Sequence, residues 1–141
     1  MNTPAVTPQL SGIKVMVIDD SNTIRKSAEI FLLQAGAQVV LAEDGFDALA
    51  KINDHLPDVI FCDILMPRLD GYQTCALIKK NPKFRATPVV MLSSKDGLFD
   101  RARGRMVGSD EYLTKPFTKD SLLATVRTQV AQAAAKSATV A

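Results

Sequence analysis

Three carboxylates, two hydroxyls and one ammonium stand at matching places along this chain. Asp19 and Asp20 follow the apolar run at residues 15–18, and Asp63 follows the run at 59–62. Ser93 and Ser94 follow residues 89–92, and Lys115 follows residues 112–114. Brought together, three carboxylates repel one another, and each holds its proton more tightly unless a cation is present. A hard divalent ion such as Mg2+ resolves that conflict. It takes oxygen ligands, commonly one or two carboxylates, and keeps the rest of its shell for water and phosphate oxygens. A lysine adds a point charge that pairs with a carboxylate or a phosphoryl oxygen, and a hydroxyl can donate to another. Asp63 is then free to act as a nucleophile and form an aspartyl phosphate. Phosphoryl transfer asks for little more, because it is mostly positioning and charge neutralisation. Each piece alone reads as an ordinary turn or helix cap. The specific signal is their conjunction at four strand ends.

Those ends are positioned by a repeated pattern. Short runs rich in β-branched and apolar residues, at 15–18, 38–42, 59–62, 89–92 and 112–114, predict five strands. Between them lie helical periodicities. Ile24, Ala28, Phe31, Leu32 and Ala35 share one face, with Ser21 or Asn22 as a start signal and Gly36 as a stop. Phe46, Leu49, Ala50 and Ile52 mark a second helix over 46–53. A third is expected over 72–80, stopped by Pro82, a fourth over 98–107 despite Gly104, and a fifth over 121–130. Strands apolar at every position are buried on both faces, the mark of a parallel sheet flanked by helices. The expected fold is α/β, doubly wound, with function outside the carboxyl ends of the strands.

Composition sets limits. The chain has 141 residues, 47% hydrophobic and 23% charged, with a net charge of +2. One domain with a single core is feasible without disulfides or structural metal. Cys62 and Cys75 read as buried thiols in a reducing cytosol rather than as a bridge or a zinc site. His55 reads as a surface residue. The first twelve residues lack a basic start and an apolar run, and no stretch approaches the roughly 20 apolar residues of a membrane span. A soluble, cytoplasmic protein is expected, with no membrane insertion and no direct DNA binding. The expected organisation is a flexible tail over 1–12, one domain over 13–130, and a tail or helix extension over 131–141.

The segments Val17-Ile18-Asp19-Asp20-Ser21, Asp63-Ile64-Leu65-Met66-Pro67, Asp70-Gly71-Tyr72 and Thr114-Lys115-Pro116-Phe117 resemble the receiver domain of bacterial response regulators. The resemblance covers residues 13–130. It implies a flavodoxin-like (βα)5 fold with a five-stranded parallel sheet in order 2-1-3-4-5 and helices on both faces. It implies Asp63 as phosphoacceptor, and Asp19 and Asp20 as the acidic pair for Mg2+. Direct ligation would come from Asp20, Asp63 and the backbone carbonyl of Leu65, with Asp19 acting through water. Lys115 and Ser93 would stabilise the phosphoryl group, Ser93 and Tyr112 would be the switch pair, and the bond before Pro116 would be cis.

The same resemblance implies a histidine kinase as phosphodonor. It also implies a chain that promotes only its own phosphorylation and dephosphorylation, and so is not an enzyme. Segments 44–50, 66–75 and 91–100 are similar to single-domain, chemotaxis-type receivers of type IV pilus twitching motility. That likeness implies a chemotaxis-like kinase upstream and pilus machinery or another signalling protein downstream. Leu65 and Lys95 would line the path of the hydrolytic water and tune phosphoryl lifetime. Arg101, Arg103 and Arg105 read either as a solvated helix face or as a docking patch for an acidic partner. Rival readings are a receiver-like module that acts by binding alone, an aspartyl-phosphate phosphatase, and a flavodoxin-like cofactor binder. The phosphatase would ordinarily carry a second carboxylate at position 65, where this chain has Leu65. The cofactor binder would need a phosphate cradle where Asp19 and Asp20 stand.

Overall fold

The computed structural model describes residues 9–94 and 100–139. Five strands alternate with five helices: β1 (Lys14–Ile18), α1 (Asn22–Gln34), β2 (Gln38–Ala42), α2 (Gly45–His55), β3 (Val59–Asp63), α3 (Gly71–Lys80), β4 (Val89–Ser94), α4 (Arg101–Val107), β5 (Glu111–Lys115) and α5 (Lys119–Thr139). All strand pairs are parallel and the sheet order is β2-β1-β3-β4-β5, as the resemblance implied. Every strand therefore ends on the same edge.

Alternation along the strands divides the core in two. Met16, Ile18, Ile60, Cys62 and Met91 face α2 and α3, whereas Val15, Val17, Phe61, Val90 and Leu92 face α1 and α5. Each face of the sheet is thus covered, which is why β1, β3 and β4 can be apolar throughout. The thiols of Cys62 and Cys75 are free and buried, and burial pushes the first well above the ordinary range and the second up to about 12.

The caps follow from local chemistry. Ser21 accepts from the N–H of Ile24 and starts α1, and Gly36 takes the left-handed conformation just beyond its end. Asp44 caps α2, which begins one residue before the expected start and runs to His55. Asp70 and Gln73 form a reciprocal capping box on α3. The helix expected from Leu98 starts instead at Arg101, with Asp100 as its cap; positions 98 and 99 lie outside the described residues.

One end departs from the expected tail, and the other takes the helical of its two expected forms. Leu10, placed in the expected tail, is fully buried in the α1–α5 core, and its N–H donates to the Ala35 carbonyl. The last helix continues through the alanine-rich segment to Thr139. Alanine has the best helix propensity, and α5 is already anchored by Leu122, Leu123 and Val126.

Candidate functional site

β1 and β3 end side by side, so Asp19, Asp20 and Asp63 leave adjacent strands together. One carboxylate oxygen from each lies within 4.8 Å of those of the other two. Asp19 and Asp63 are buried and Asp20 is exposed. Lys115, at the end of β5, reaches back across the strand ends. Its ammonium donates to Asp63 at 3.0 Å and to Asp19 at 3.1 Å.

The rest of each carboxylate is fixed by backbone. Asp19 accepts from the Ser21 N–H at 2.8 Å, and its own carbonyl is held by the Arg25 guanidinium. Asp63 accepts from the Leu65 N–H on the same oxygen that Lys115 engages. Those two bonds set the rotation of the Asp63 carboxylate.

Electrostatics agree with the crowding. Burial, then the neighbouring Asp19, push Asp63 up to about 6 despite the Lys115 hydrogen bond. Burial works against the Lys115 ammonium, yet its hydrogen bond to Asp63 and the charge of Asp19 leave it above an ordinary lysine. Among the described residues, three carboxylates against one ammonium leave an excess of negative charge in a pocket open on the Asp20 side. An all-oxygen, all-carboxylate donor set of this kind fits a hard divalent cation and not a soft one.

Sequence reasoning includes Gly71 within the Asp70-Gly71-Tyr72 segment but gives no role to this residue, which brings Asp63 to its place. A Cβ at Gly71 would meet the Asp63 carbonyl oxygen at 2.3 Å and the Ile64 Cα at 2.7 Å. The Gly71 N–H also donates to the Ile64 carbonyl at 2.8 Å. The start of α3 therefore presses directly on the end of β3. The available signal was a glycine at the first turn of a helix, where propensity disfavours it and close approach explains it. The intervening loop is tied down by Arg68, which sits at φ +69°, pairs with Asp44 at 2.9 Å and lies over the Phe46 ring. Phe46, expected on the apolar face of α2, is consequently half exposed under that guanidinium.

The remaining expected residues stand as follows. Ser93 is buried on the same edge, and its hydroxyl donates to the adjacent Ser94 carbonyl at 3.3 Å. The Lys115–Pro116 bond is cis. Leu65 projects outward, 71% exposed. Lys95 lies outside the described residues. Tyr112 is half-buried against the α2–α3 core, with the Arg101 guanidinium stacked 5.0 Å from its ring centroid and donating to its hydroxyl. His55 is exposed and away from the cluster.

The three arginines do not form one patch. Arg101 and Arg105 line a groove of about 710 Å3 between α4, β5 and the start of α5, together with Tyr112, Phe117 and Ser121. Arg103 points the other way, stacking 4.4 Å from the Tyr72 ring centroid and pairing with Asp70 at 3.5 Å. Spacing of two along a helix of 3.6 residues per turn separates neighbours by about 200°, so Arg103 cannot share the face on which Arg101 and Arg105, four residues apart, stand together.

Comparison with known proteins settles the family. The model of the response regulator receiver domain matches residues 15–127. The chain belongs to that family. This receiver domain is 66% identical over 122 residues to protein PilG of Pseudomonas aeruginosa, covering 86% of this chain and 90% of that protein. It is 40% identical over 114 residues to the probable transcriptional regulator ycf27 of Guillardia theta, of which it spans 44%. Among solved structures it is similar to the chemotaxis protein CheY4 of Vibrio cholerae, with a TM-score of 0.78, 34% identity, and 82% and 97% of the two chains covered. The receiver domain of the Francisella response regulator 1452 gives a TM-score of 0.76 at 36% identity, covering 86% and 98%. Membership implies two-component signalling with a histidine kinase as phosphodonor, and Mg2+ at the acidic pocket. Among the described residues no helix is long and apolar enough to cross a membrane.

Proposed function

We propose that this receiver domain is a phosphorylation-controlled interaction switch with Asp63 as its phosphoacceptor. The observation that carries the reading is the Lys115 ammonium shared between Asp63 and Asp19, at the only cluster of three carboxylates among the described residues. Asp20, Asp63 and the Leu65 carbonyl would hold Mg2+ directly, with Asp19 acting through water. The ion neutralises charge on the transferring phosphoryl group when bound.

The chain's own residues do the rest. Asp63, its rotation fixed by Lys115 and the Leu65 N–H, attacks the phosphorus of a kinase phosphohistidine. An oxygen–phosphorus bond forms, the phosphorus–nitrogen bond breaks, and the imidazole leaves with its electron pair. The product carries about −1.5 to −2 charge and three strong acceptors. Lys115 pairs with one of them. The Ser93 hydroxyl gives up its bond to the Ser94 carbonyl and donates to another. That movement opens space beside β5 for Tyr112, whose ring then leaves Arg101 and changes the groove between α4, β5 and α5. The chain turns over no separate substrate. Its similarity to PilG supports a chemotaxis-like kinase upstream and an output to type IV pilus twitching motility.

The test is phosphate-affinity gel mobility with Mg2+ and either acetyl phosphate or a phosphorylated histidine kinase. A Mg2+-dependent shifted band in the native chain and none in Asp63→Asn is expected. An equal band in Asp63→Asn, or no band from either donor, overturns the reading.

A further inference from the structure

On the face of α3 and α4 that points away from the acidic cluster lies a second concavity, of about 440 Å3. Its apolar lining is Ala76, Leu77, Met106 and Val107. Leu77 is 42% exposed and Met106 85% exposed, the highest of any large apolar side chain among the described residues. A single exposed methionine is ordinary on a monomer, but here two exposed apolar residues border one concave site.

The rim is cationic. Lys79, Lys80 and Arg85 line it, and the stretch 79–88 contains no acid. Lys79 is consumed internally, donating to the Arg85 and Thr87 carbonyls and to Asp110. Lys80 and Arg85 are exposed, and neither pairs with a carboxylate among the described residues. No carboxylate lines the site. Two open cations therefore flank an apolar floor with no carboxylate of the described residues paired to either.

We propose that this α3–α4 concavity docks an acidic amphipathic helix of a partner protein, independently of phosphorylation. The apolar stripe of such a helix would cover Leu77 and Met106 and fill the concavity above Val107. Its flanking carboxylates would meet Lys80 and Arg85. Concavity favours a helix over a lipid surface, because a bilayer takes up protruding apolar groups and would leave the hollow unfilled. Independence from the switch rests on the α3 half of the site, since Met106 and Val107 stand on the last turn of α4, beyond the Arg101 that stacks on Tyr112. Gly71 at the start of α3 packs on Asp63, whereas Leu77 and Lys80 lie roughly 9–14 Å further along the helix axis. The groove lined by Arg101, Arg105 and Tyr112 stays free, so one partner can tether the receiver while another reads it.

The experiment uses the full chain and a helical peptide with leucines at i, i+3, i+4 and i+7 and glutamates on both flanks. Amide chemical-shift changes are expected at Leu77, Lys80, Arg85 and Met106. The affinity is expected to fall by about tenfold or more in Met106→Asp and in Lys80→Glu combined with Arg85→Glu, with no change in Tm. A peptide with glutamine in place of every glutamate is expected to bind far more weakly. Asp63→Asn is expected to bind as the native chain does, so a failed phosphoacceptor assignment leaves this result standing. Shifts confined to the α4–β5–α5 groove, no shifts, or equal binding of the glutamine peptide would overturn the proposal. So would loss of binding in Asp63→Asn, phosphatidylglycerol vesicles competing for the same residues, or a dimer in sedimentation that Met106→Asp dissolves.

Discussion

β3 and β5 lie in one sheet, and each ends in a residue of the site, yet they are built in opposite ways. β3 is paired on both sides and buried at all five positions, with Phe61 fully enclosed. β5 is paired on one side only and buries none of its residues completely. The proposed nucleophile therefore stands on a stiff, enclosed strand, and the ammonium and aromatic on a more yielding edge strand. A phosphoacceptor must not move when charge arrives, since its geometry supports the transfer. A reporter must move, and an edge strand with half-exposed side chains has the freedom to do so.

The largest contrast is expected from truncating a ring in each strand. Phe61→Ala should cost about 3–5 kcal/mol through its cavity, while Tyr112→Ala should cost about 1 kcal/mol or less. Urea melts of the two variants check this, and a similar loss in both would erase the distinction. Tyr112→Ala should still accept a phosphoryl group while losing partner discrimination.

Next comes Gly71→Ala, aimed at the contact that fixes the stiff side. The new methyl meets backbone rather than a flexible tip, so a loss of about 2–3 kcal/mol is expected, together with slower phosphorylation. Native-like melting would show that the close approach can relax.

Asp63→Asn should act in the other sense. The folded carboxyl sits at about 6 against an ordinary 3.8. Its stability contribution is therefore complete below pH 3.8 and lost as pH rises through 6. In EDTA above pH 6 the variant should gain on the order of 1–2 kcal/mol, and the gain should fade toward pH 4. Saturating Mg2+ should shrink the gap, because the ion relieves the same repulsion in the native chain. A pH-independent difference would place its origin elsewhere.

The smallest change in stability belongs to Leu65→Asn. The side chain is exposed, so melting should not change. Yet an amide there can orient the attacking water and should shorten the phosphoryl lifetime several-fold. Decay followed by loss of the shifted gel band measures it, and an unchanged rate would assign the lifetime to other residues.

Much of this architecture is legible in the amino-acid sequence. Unbroken apolar runs at 15–18, 59–62 and 89–92 identify strands covered on both faces, because only a two-sided apolar environment tolerates them. Asp19, Asp20, Asp63, Ser93 and Lys115 are legible as residues that a parallel sheet gathers on one edge. Edge-strand character is not legible in the run itself: residues 112–114 read like another strand, and only the strand order that the resemblance implies puts them at an edge. The partition of Arg101, Arg103 and Arg105 onto two faces follows from the expected helix and its spacing, but what each face meets, Tyr112 for Arg101 and Tyr72 for Arg103, does not.

Chain order and residue type determined the repeating β-α units, the caps at Ser21, Asp44 and Asp70, and the set of groups that could meet a phosphoryl oxygen. These are local consequences of periodicity and hydrogen-bonding capacity. Tertiary structure alone decided that Lys115 bridges Asp19 and Asp63, that Gly71 presses on the Asp63 carbonyl, that Leu10 is core, and that Leu77 and Met106 flank a cationic hollow. Each of these depends on distances between segments far apart in sequence, and such distances are fixed only when the whole sheet and its helices close around two cores.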